Sequence, residues 1–394
     1  LLIATGSQPF IIPVPGHDKE GVIAFRDIKD VDTMLDAAKY YKNATVIVGG
    51  LLGLVAANGQ MQHGMTVTGV HLGDTLMERQ MDKVSGKMLK SSLEEKGMDF
   101  RMQAQTAEII GNGRVSGIKF ADGSAIDTDL VVMAVGIRPN FSLAEKAGLH
   151  CERGIVVNDT LQTYDPRVYA VGECVQHRSN TYGLVAPLFE MAKVCANHLA
   201  QMGIGLYEGS VTSTKLKVTG IDLFSAGNFI GDETTEEMVM QDASSGLYKK
   251  LVIKDDRLIG AVLYGDTKEG AWYFQLMRSE QDISDIRDKL IYGESHLGDS
   301  GHGGDHIAAI SDQTEICGCN GVCKGDITKA ITDHGLFTLD EVRAHTKASA
   351  SCGSCTGLVE QLLEATLGSD YETPEAKPLC KCTDHTHEVV REAI

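Results

Sequence analysis

A short apolar strand that runs into a glycine-rich turn and then a helix constrains the fold of this chain more than any other feature. Residues 44–48 form the strand-like run, and the turn that follows carries Gly49, Gly50 and Gly53. In such a turn one glycine makes the bend, a second lets the backbone approach a pyrophosphate, and a third lets the helix pack against the strand. The pattern predicts a parallel α/β unit that binds a dinucleotide through these three glycines. An ordinary tight turn between a strand and a helix is the alternative.

Two residues near this turn depart from the full dinucleotide motif. Written as G-x-G-x-x-G, the motif has Val48 at its first position, which leaves full binding in question. The second strand, residues 67–72, places His71 where NAD-binding folds carry an acid for the adenosine ribose. A neutral imidazole can also hydrogen-bond a hydroxyl, so we predict that His71 contacts the ribose; a strand-end polar residue without a ligand is the alternative. No arginine directly follows His71 to bind the 2′-phosphate of NADPH, and Arg79 is the nearest. NADH is therefore favoured over NADPH, although NADPH is not excluded.

A second group of landmarks includes a strand that ends in Gly172 and Glu173. This position puts a carboxylate at the carboxyl edge of a parallel sheet, where ligands bind. Glu173 can accept a hydrogen bond from a ribityl hydroxyl, and Gly172 allows close approach of the backbone. Together with the Thr5-Gly6 pair and Gly136, in this order, these residues resemble the pyridine-nucleotide:disulfide-oxidoreductase-like flavoproteins. The resemblance implies that all five residues bind the cofactors, with FAD as the flavin.

A helix predicted to start at Pro187 belongs to the same resemblance. Proline suits the first turn of a helix, because its missing N–H would have no partner there. The positive end of the helix would then point at the flavin pyrimidine. Plain core packing of its apolar face is the alternative, and both can hold together; that face consists of Leu188, Met191, Cys195 and Leu199.

Four cysteines in two short clusters give the sharpest local signal. Cys317 and Cys319 form a C-x-C pair, and Cys352 and Cys355 form a C-x-x-C pair. Four thiolates on tight turns suit a [2Fe–2S] cluster or a tetrahedral zinc ion, and the flavin-type landmarks favour the cluster. Cys323 is a possible alternative ligand. The module resembles the bacterioferritin-associated ferredoxin-like [2Fe–2S] domains, which are small and helical.

Other histidines and cysteines give weaker signals. His296, His302 and His306 lie in a Gly-rich stretch, where solvated histidines are the expected interpretation. Cys380 and Cys382 have a zinc-like setting near two histidines, but a surface tail explains them equally well. We assign no site to either group.

Composition excludes several functional classes. The net charge of −18 argues against nucleic-acid binding and against attachment to an anionic membrane. No apolar run approaches the length that crosses a bilayer. Ten cysteines without a disulfide-rich pattern indicate a cytoplasmic protein with a metal site. The chain starts inside an apolar strand-like run and stops after a Cys- and His-bearing stretch, so we expect an internal piece of a longer protein.

The order of these parts closely resembles the large subunit of NAD(P)H-dependent nitrite reductases over essentially the whole chain. The stretches Gly183–Pro187 and Lys215–Val218 add to the resemblance. It implies electron flow from NAD(P)H to FAD and through iron–sulfur centres to a sirohaem and [4Fe–4S] domain that reduces nitrite to ammonium. That domain would follow residue 394, so this piece alone should not reduce nitrite. Val55 departs from the pattern, since related flavoproteins commonly carry glutamate there.

The resemblance also implies partners and leaves rivals open. The nicotinamide dinucleotide is the expected ligand, and a small nitrite reductase subunit and a homodimer are possible assemblies. Hydride transfer needs placement of two cofactors rather than an acid or base, so we name no catalytic residue. The rivals are another flavoprotein reductase with a ferredoxin- or rubredoxin-type acceptor, and a non-catalytic dinucleotide fold with zinc-bound cysteines.

The predicted architecture is an α/β, FAD/NAD(P)-binding fold of the pyridine-nucleotide-disulfide-oxidoreductase type, followed by a small α+β domain and a small helical [2Fe–2S] domain. Within the α+β domain we predict strands at 215–218, 248–253 and 258–264 and a helix over 270–290. The predicted domains are 1–29 (the end of the first FAD-binding segment), 30–136 (NAD(P)-binding), 137–205 (second FAD-binding segment), 206–295 (α+β, of the dimerisation type), 296–311 (linker), 312–368 ([2Fe–2S]-binding) and 369–394 (tail).

Overall fold

The computed structural model describes residues 1–203, 205–218, 220–242, 244–296, 312, 314–317, 320–350, 353 and 355–368. The chain divides into two compact units, Leu1–Asp285 and Ile286–Ile394. The first unit begins, in chain order, with β1 (Leu2–Ile3), β2 (Ser7–Pro9), β3 (Val22–Ala24), α1 (Ile28–Tyr40), β4 (Asn43–Val48), α2 (Leu51–Gln62), β5 (Thr66–Val70), α3 (Lys83–Glu95), β6 (Asp99–Arg101), β7 (Thr106–Ile110), β8 (Gly117–Phe120), β9 (Ala125–Asp127), β10 (Leu130–Ala134), β11 (Ile137–Pro139), α4 (Ser142–Lys146), β12 (Ile155–Val157), β13 (Tyr169–Ala170), β14 (Val175–His177), β15 (Asn180–Thr181) and α5 (Val185–Leu199).

A five-stranded parallel sheet with the order β3-β10-β4-β5-β6 confirms the predicted dinucleotide-type unit. Its central strands β4 and β10 are buried along almost their whole length, as expected for parallel strands covered on both faces. Helix α2 leaves the glycine turn after β4 and packs against this sheet. Leu54 on α2 and Val46 and Val67 on the strands are fully buried in the shared core.

Segments far apart in the chain build the part predicted to bind FAD. Strand β1 pairs in parallel with β13, and β2 pairs antiparallel with β11. The three-stranded sheet β12-β14-β15 and helix α5 share a core with β1. This part is therefore assembled from the first ten residues and from residues beyond 136, on either side of the parallel sheet in sequence.

The first unit ends with an antiparallel sheet of five strands rather than the three that the sequence predicts. The strand order is β16-β17-β20-β19-β18. Strand β18 lies at the edge of the sheet and most of its side chains are exposed, so its sequence lacks the apolar alternation that would predict a strand. The predicted helix over 270–290 is too long, because the backbone of Glu280 has φ +49° and ends it at Arg278. The elements are β16 (Ser213–Val218), β17 (Ile221–Gly227), β18 (Glu236–Asp242), β19 (Leu247–Lys254), β20 (Arg257–Tyr264) and α6 (Gly270–Arg278), followed by a short 3-10 turn at Ser284–Ile286; two more 3-10 turns, Leu290–Tyr292 and Glu294–His296, belong to the second unit.

In its described residues, the second unit contains a small hairpin and helices around one apolar core. Strand β21 pairs antiparallel with β22, and the core includes Ile316, Ile327, Val342 and Val359. The predicted capped helix is confirmed, since Thr338 forms a capping box at its start. The elements are β21 (Glu315–Cys317), β22 (Val322–Cys323), α7 (Lys324–His334), α8 (Leu339–Thr346) and α9 (Thr356–Leu367). The tail 369–394 lies outside the described residues.

Candidate functional site

Three glycines that are predicted to bind the cofactors share an open, left-handed backbone; we call Gly6, Gly136 and Gly172 the predicted flavin cradle. Gly6, Gly136 and Gly172 have φ values of +67°, +105° and +93°, in the left-handed region that glycine tolerates best. A Cβ atom added to any of them would meet nothing within 4 Å. The three positions therefore face open space, and a side chain there would fill it.

Strand pairing brings the remaining predicted residues to the same place. The hydroxyl of Thr5 donates to the Asn140 carbonyl at 2.5 Å, and the Phe10 amide donates to the Gly136 carbonyl at 2.9 Å. The hydroxyl of Ser7 donates to Oε2 of Glu173 at 2.6 Å. The five predicted positions thus belong to one neighbourhood, although they come from three distant parts of the chain.

Glu173 is held by a residue that the sequence analysis missed. Nη2 of Arg26 lies 2.6 Å from Oε2 of Glu173, the oxygen that Ser7 also contacts. The carboxylate is largely buried, with its side chain 12% exposed. Within the contacts of the described residues, Oε1 is the oxygen left to accept a ligand hydroxyl. Arg26 gives no local sequence signal, because it pairs across 147 residues.

The helix predicted to start at Pro187 begins two residues earlier, at Val185. Pro187 is its third residue, which is allowed because the first four N–H groups of a helix have no partner inside it. Leu184 caps the helix without a side-chain hydrogen bond, so those amides keep their capacity to bind a ligand. On its predicted apolar face Met191 and Cys195 are buried, whereas Leu199 is exposed.

The glycine turn between β4 and α2 is shaped by close packing. A Cβ on Gly49 would lie 2.7 Å from the Cα of Val135, and a Cβ on Gly53 would lie 3.1 Å from the Cα of Val48. Gly50 caps α2 without any side-chain bond, and a Cβ added there would have Oε1 of Gln80, at 3.7 Å, as its nearest neighbour. Gly49 and Gly53 are therefore needed for packing, while Gly50 faces the space in front of the helix N-terminus.

Val48 fits its position without strain. It is the last residue of β4 and pairs in register with Ala134 of β10. An extended strand position accepts a β-branched residue, so a glycine is not required there by the backbone. An effect of Val48 on dinucleotide binding stays a prediction.

The predicted dinucleotide turn and the predicted flavin cradle adjoin each other at two consecutive residues, Val135 and Gly136. Val135 packs against Gly49, and the next residue, Gly136, forms part of the cradle. The Gly49 amide also donates to the carbonyl of Ala134 at 2.8 Å. The two predicted cofactor sites therefore meet at these residues, and hydride transfer would need a nicotinamide and a flavin to lie close together.

The predicted ribose contact of His71 meets a different environment in the structure. Its imidazole is 3% exposed, and both ring nitrogens have protein partners. Nδ1 lies 2.6 Å from the Val48 carbonyl and Nε2 lies 3.0 Å from Oε2 of Glu78. In this arrangement no ring nitrogen is free for a hydroxyl, so a direct ribose contact would require His71 to release Glu78.

Two of the four predicted cluster ligands can be placed. Cys317 and Cys355 are buried, 1% and 6% exposed, and their side chains are within hydrogen-bonding range of each other. The hydrogen bond with Cys355 lowers the pKa of the Cys317 thiol to about 5, assisted by the Asn320 amide, whose Nδ2 lies 3.7 Å from Sγ. A thiol that ionises readily suits metal ligation, because the thiolate is the binding form.

The other predicted ligands, Cys319 and Cys352, lie outside the described residues, as do His302, His306, Cys380 and Cys382. Cys323 ends β22 and caps α7. Among the described residues no group of three or more His, Cys, Asp or Glu side chains is arranged to hold a metal ion. The described donor set is thus one thiol pair, which agrees with half of a four-cysteine site.

No helix in the described part of the chain is both long and apolar enough to cross a membrane.

The antiparallel sheet is joined to the parallel unit by side-chain hydrogen bonds. The hydroxyl of Tyr248 donates to Oδ2 of Asp82 at 2.5 Å, and that of Tyr264 donates to Oγ of Ser92 at 2.7 Å. Asp82 also caps α3 through the Ser85 amide. These contacts fix the sheet against the helix that follows the dinucleotide-type strand β5.

Comparison with known proteins confirms the predicted domain types. Residues 1–202 match the model of the pyridine nucleotide-disulphide oxidoreductases, and residues 213–281 match the rubredoxin NAD+ reductase C-terminal domain. Residues 315–365 match the BFD-like [2Fe–2S] binding domain. These matches confirm FAD, NAD(P)H and a [2Fe–2S] cluster as the predicted cofactors. The predicted domain boundaries and individual ligands stay predictions.

The predicted resemblance to nitrite reductase large subunits is also confirmed. The chain is 50% identical over its whole length to a Bacillus subtilis protein named Nitrite reductase [NAD(P)H] and covers 49% of it. It is 41% identical over 98% of its length to the assimilatory nitrate reductase electron transfer subunit of Bacillus subtilis and covers 50% of that protein. The chain thus spans about half the length of these relatives.

A solved structure shares the fold. The ferredoxin reductase of the CYP199A2 system of Rhodopseudomonas palustris has a TM-score of 0.65 at 22% identity, covering 74% of this chain and 73% of that protein. The glycine turn, the flavin cradle and the family matches lead to one assignment. The chain belongs to the pyridine nucleotide-disulphide oxidoreductase family and carries a BFD-like [2Fe–2S]-binding domain after it.

Proposed function

We propose that this chain passes electrons from NAD(P)H through FAD and a [2Fe–2S] cluster towards a sirohaem site that reduces nitrite to ammonium. The likeness to the Bacillus subtilis Nitrite reductase [NAD(P)H] supports this acceptor. Because the chain spans about half of that relative, nitrite reduction belongs to the whole protein, and the sirohaem and [4Fe–4S] centres to its other half. The electron-transfer role belongs to these residues.

The observation that carries the proposal is that the two predicted cofactor sites meet at Val135 and Gly136. A hydride can pass from a nicotinamide to a flavin only when the two rings stack. Gly49 belongs to the dinucleotide turn and packs on Val135, while Gly136 opens the flavin cradle. The reduced flavin can then release its electrons singly, which is the form that an iron–sulfur cluster accepts.

A second candidate acceptor has support of its own. The relative named assimilatory nitrate reductase electron transfer subunit matches 98% of this chain. The same electron path would then deliver to a separate nitrate-reducing protein rather than to a sirohaem in the same polypeptide. Activity of the full-length protein separates the two, since only the first candidate consumes nitrite with NADH when no partner other than a small nitrite reductase subunit is added.

We infer three further properties of the whole protein from the same likeness. It would assemble with a small nitrite reductase subunit, form a homodimer through the antiparallel-sheet region, and work in the cytoplasm. The scarcity of disulfide-type cysteine spacing supports the last inference. Size-exclusion chromatography with light scattering tests the assembly.

Anaerobic reduction of the full-length protein by NADH tests the electron path. We expect the flavin absorbance to bleach first, and the paramagnetic signal of a reduced [2Fe–2S] cluster to follow. In Cys355→Ser the flavin should still bleach, but bound iron, acid-labile sulfide and the paramagnetic signal should be lost. Cys195→Ser is the matched control, because Cys195 is equally buried but lies in the flavin-binding part.

Two results would reject the proposal. Flavin bands that do not change with NADH or NADPH would remove the hydride step. Zinc without iron in the purified protein would remove the cluster and favour the non-catalytic alternative.

A further inference from the structure

A glutamate that the dinucleotide motif does not predict lies beside the glycine turn. In NAD-binding folds an acid at the end of the second strand accepts hydrogen bonds from the adenosine ribose. Here that position is His71, whose imidazole is 3% exposed and cannot reach a ligand while both its bonds are made. His71, at the strand end itself, is therefore not available to bind the ribose.

The two bonds of His71 connect the glycine turn to Glu78. Nδ1 meets the carbonyl of Val48, the residue immediately before Gly49, and Nε2 meets Oε2 of Glu78. Both ring nitrogens are therefore engaged by protein atoms, one on each side of the imidazole. The imidazole thus holds the Glu78 carboxylate next to the turn, and that side chain is 51% exposed. One carboxylate oxygen is fixed by the protein and the group still reaches solvent.

A second acceptor in the same loop points to a ligand with hydroxyl donors. Oε1 of Gln80 is buried and has no hydrogen-bond partner in the part of the chain that the structure describes. It lies 3.7 Å from the position of a Cβ on Gly50, the open glycine of the turn. A buried acceptor without a partner is unfavourable, and a bound hydroxyl would satisfy it.

The charges of this loop decide which nucleotide it favours. A carboxylate accepts from the 2′-hydroxyl of NADH but repels the 2′-phosphate of NADPH. The cations that follow Glu78 in the sequence are Arg79, which is exposed, and Lys83, whose Nζ lies 3.4 Å from Oδ2 of Asp74. Lys83 is thus paired with Asp74, whereas His71 holds Glu78 beside the residue that precedes Gly49.

We propose that Glu78, positioned by His71, binds the adenosine ribose hydroxyls in place of the strand-end acid and makes this protein select NADH over NADPH. This rests on the proposed function, because it assumes that a nicotinamide dinucleotide reduces the flavin. It goes beyond that function by naming the residue that distinguishes NADH from NADPH. His71 acts as a positioning residue and touches no ligand.

Steady-state kinetics of the flavin-loaded, full-length protein with ferricyanide as acceptor test the proposal. We expect wild type to prefer NADH, and Glu78→Gln to lower kcat/KM for NADH about tenfold or more, the loss of one charge-assisted hydrogen bond. Glu78→Arg should raise kcat/KM for NADPH. Glu95→Gln is the matched control, since Glu95 is an exposed glutamate at the far end of α3.

The ratio of kcat/KM for NADH to that for NADPH is the decisive readout, because a purely structural role would lower both values together. A wild-type preference for NADPH, or a ratio unmoved in both Glu78 variants with normal flavin content, would overturn the proposal and leave the electron path intact. A wild-type protein that oxidises neither nucleotide would instead reject the proposed function itself.

Discussion

Adding one methyl group at Gly172 should distinguish a loss of FAD binding from the ordinary cost of backbone strain. Gly172 and Gly148 have φ values of +93° and +81°, and a Cβ on either meets nothing within 4 Å. An alanine in this left-handed region costs about 1 kcal/mol at each position. Only Gly172 belongs to the proposed cradle, so Gly148→Ala is a control with the same intrinsic cost.

The two variants should diverge once FAD is present. At a free FAD concentration about a hundredfold above Kd, binding stabilises the folded protein by about 2.7 kcal/mol. If the methyl group added by Gly172→Ala excludes the flavin, this variant loses the binding term as well as the strain term, about 4 kcal/mol in total. Gly148→Ala should lose about 1 kcal/mol with or without FAD.

Urea unfolding of the full-length protein, with and without added FAD, measures both quantities, and flavin absorbance after gel filtration measures retention. Equal FAD retention in Gly172→Ala and wild type, with a stability loss that matches Gly148→Ala, would refute the cradle. The open space at Gly172 would then be plain surface.

Two further predictions concern the hydrogen bonds that hold the first unit together. In Tyr248→Phe the Asp82 carboxylate loses the hydroxyl that donates to it at 2.5 Å. Burial and that carboxylate both raise the pKa of the Tyr248 hydroxyl. We expect urea unfolding to show that the free energy of unfolding falls by about 2 kcal/mol. In Asp159→Asn the acid dependence should change. Bonds from Arg178 and then His177 lower the pKa of Asp159 to about 2, so its contribution to stability is complete above about pH 4 and disappears as the pH falls through about 2.

Tyr248→Phe has a matched control, and each of the two predictions has an outcome that would contradict it. Tyr164→Phe removes an exposed hydroxyl that donates to the Gly148 carbonyl, and should change stability by less than about 0.5 kcal/mol. A similar small loss in Tyr248→Phe would contradict the link between sheet and helix. For Asp159→Asn, a deficit relative to wild type that persists unchanged at about pH 2 would show that the carboxylate charge is not its source.

The residue pattern alone determined much of this protein. It predicts the strand–turn–helix unit with Gly49, Gly50 and Gly53, the flavin landmarks from Thr5 to Glu173, and the paired cysteines. The glycine turn and each cysteine pair are readable because they depend on residue types at short, fixed spacing, and the flavin landmarks because their order along the chain matches a known family. A helix that packs on a strand needs glycine at a few nearby positions, and a metal site needs thiols close together in the chain.

Only the tertiary structure decided which side chains complete the sites. The pairing of Arg26 with Glu173 joins residues 147 apart, and it exists because the chain beyond β3 meets the chain beyond β13 in the folded unit. The link from Val48 through His71 to Glu78 likewise requires β4 and β5 to be neighbours. Residue spacing carries no trace of such contacts, since they follow from the arrangement of the strands and not from local pattern.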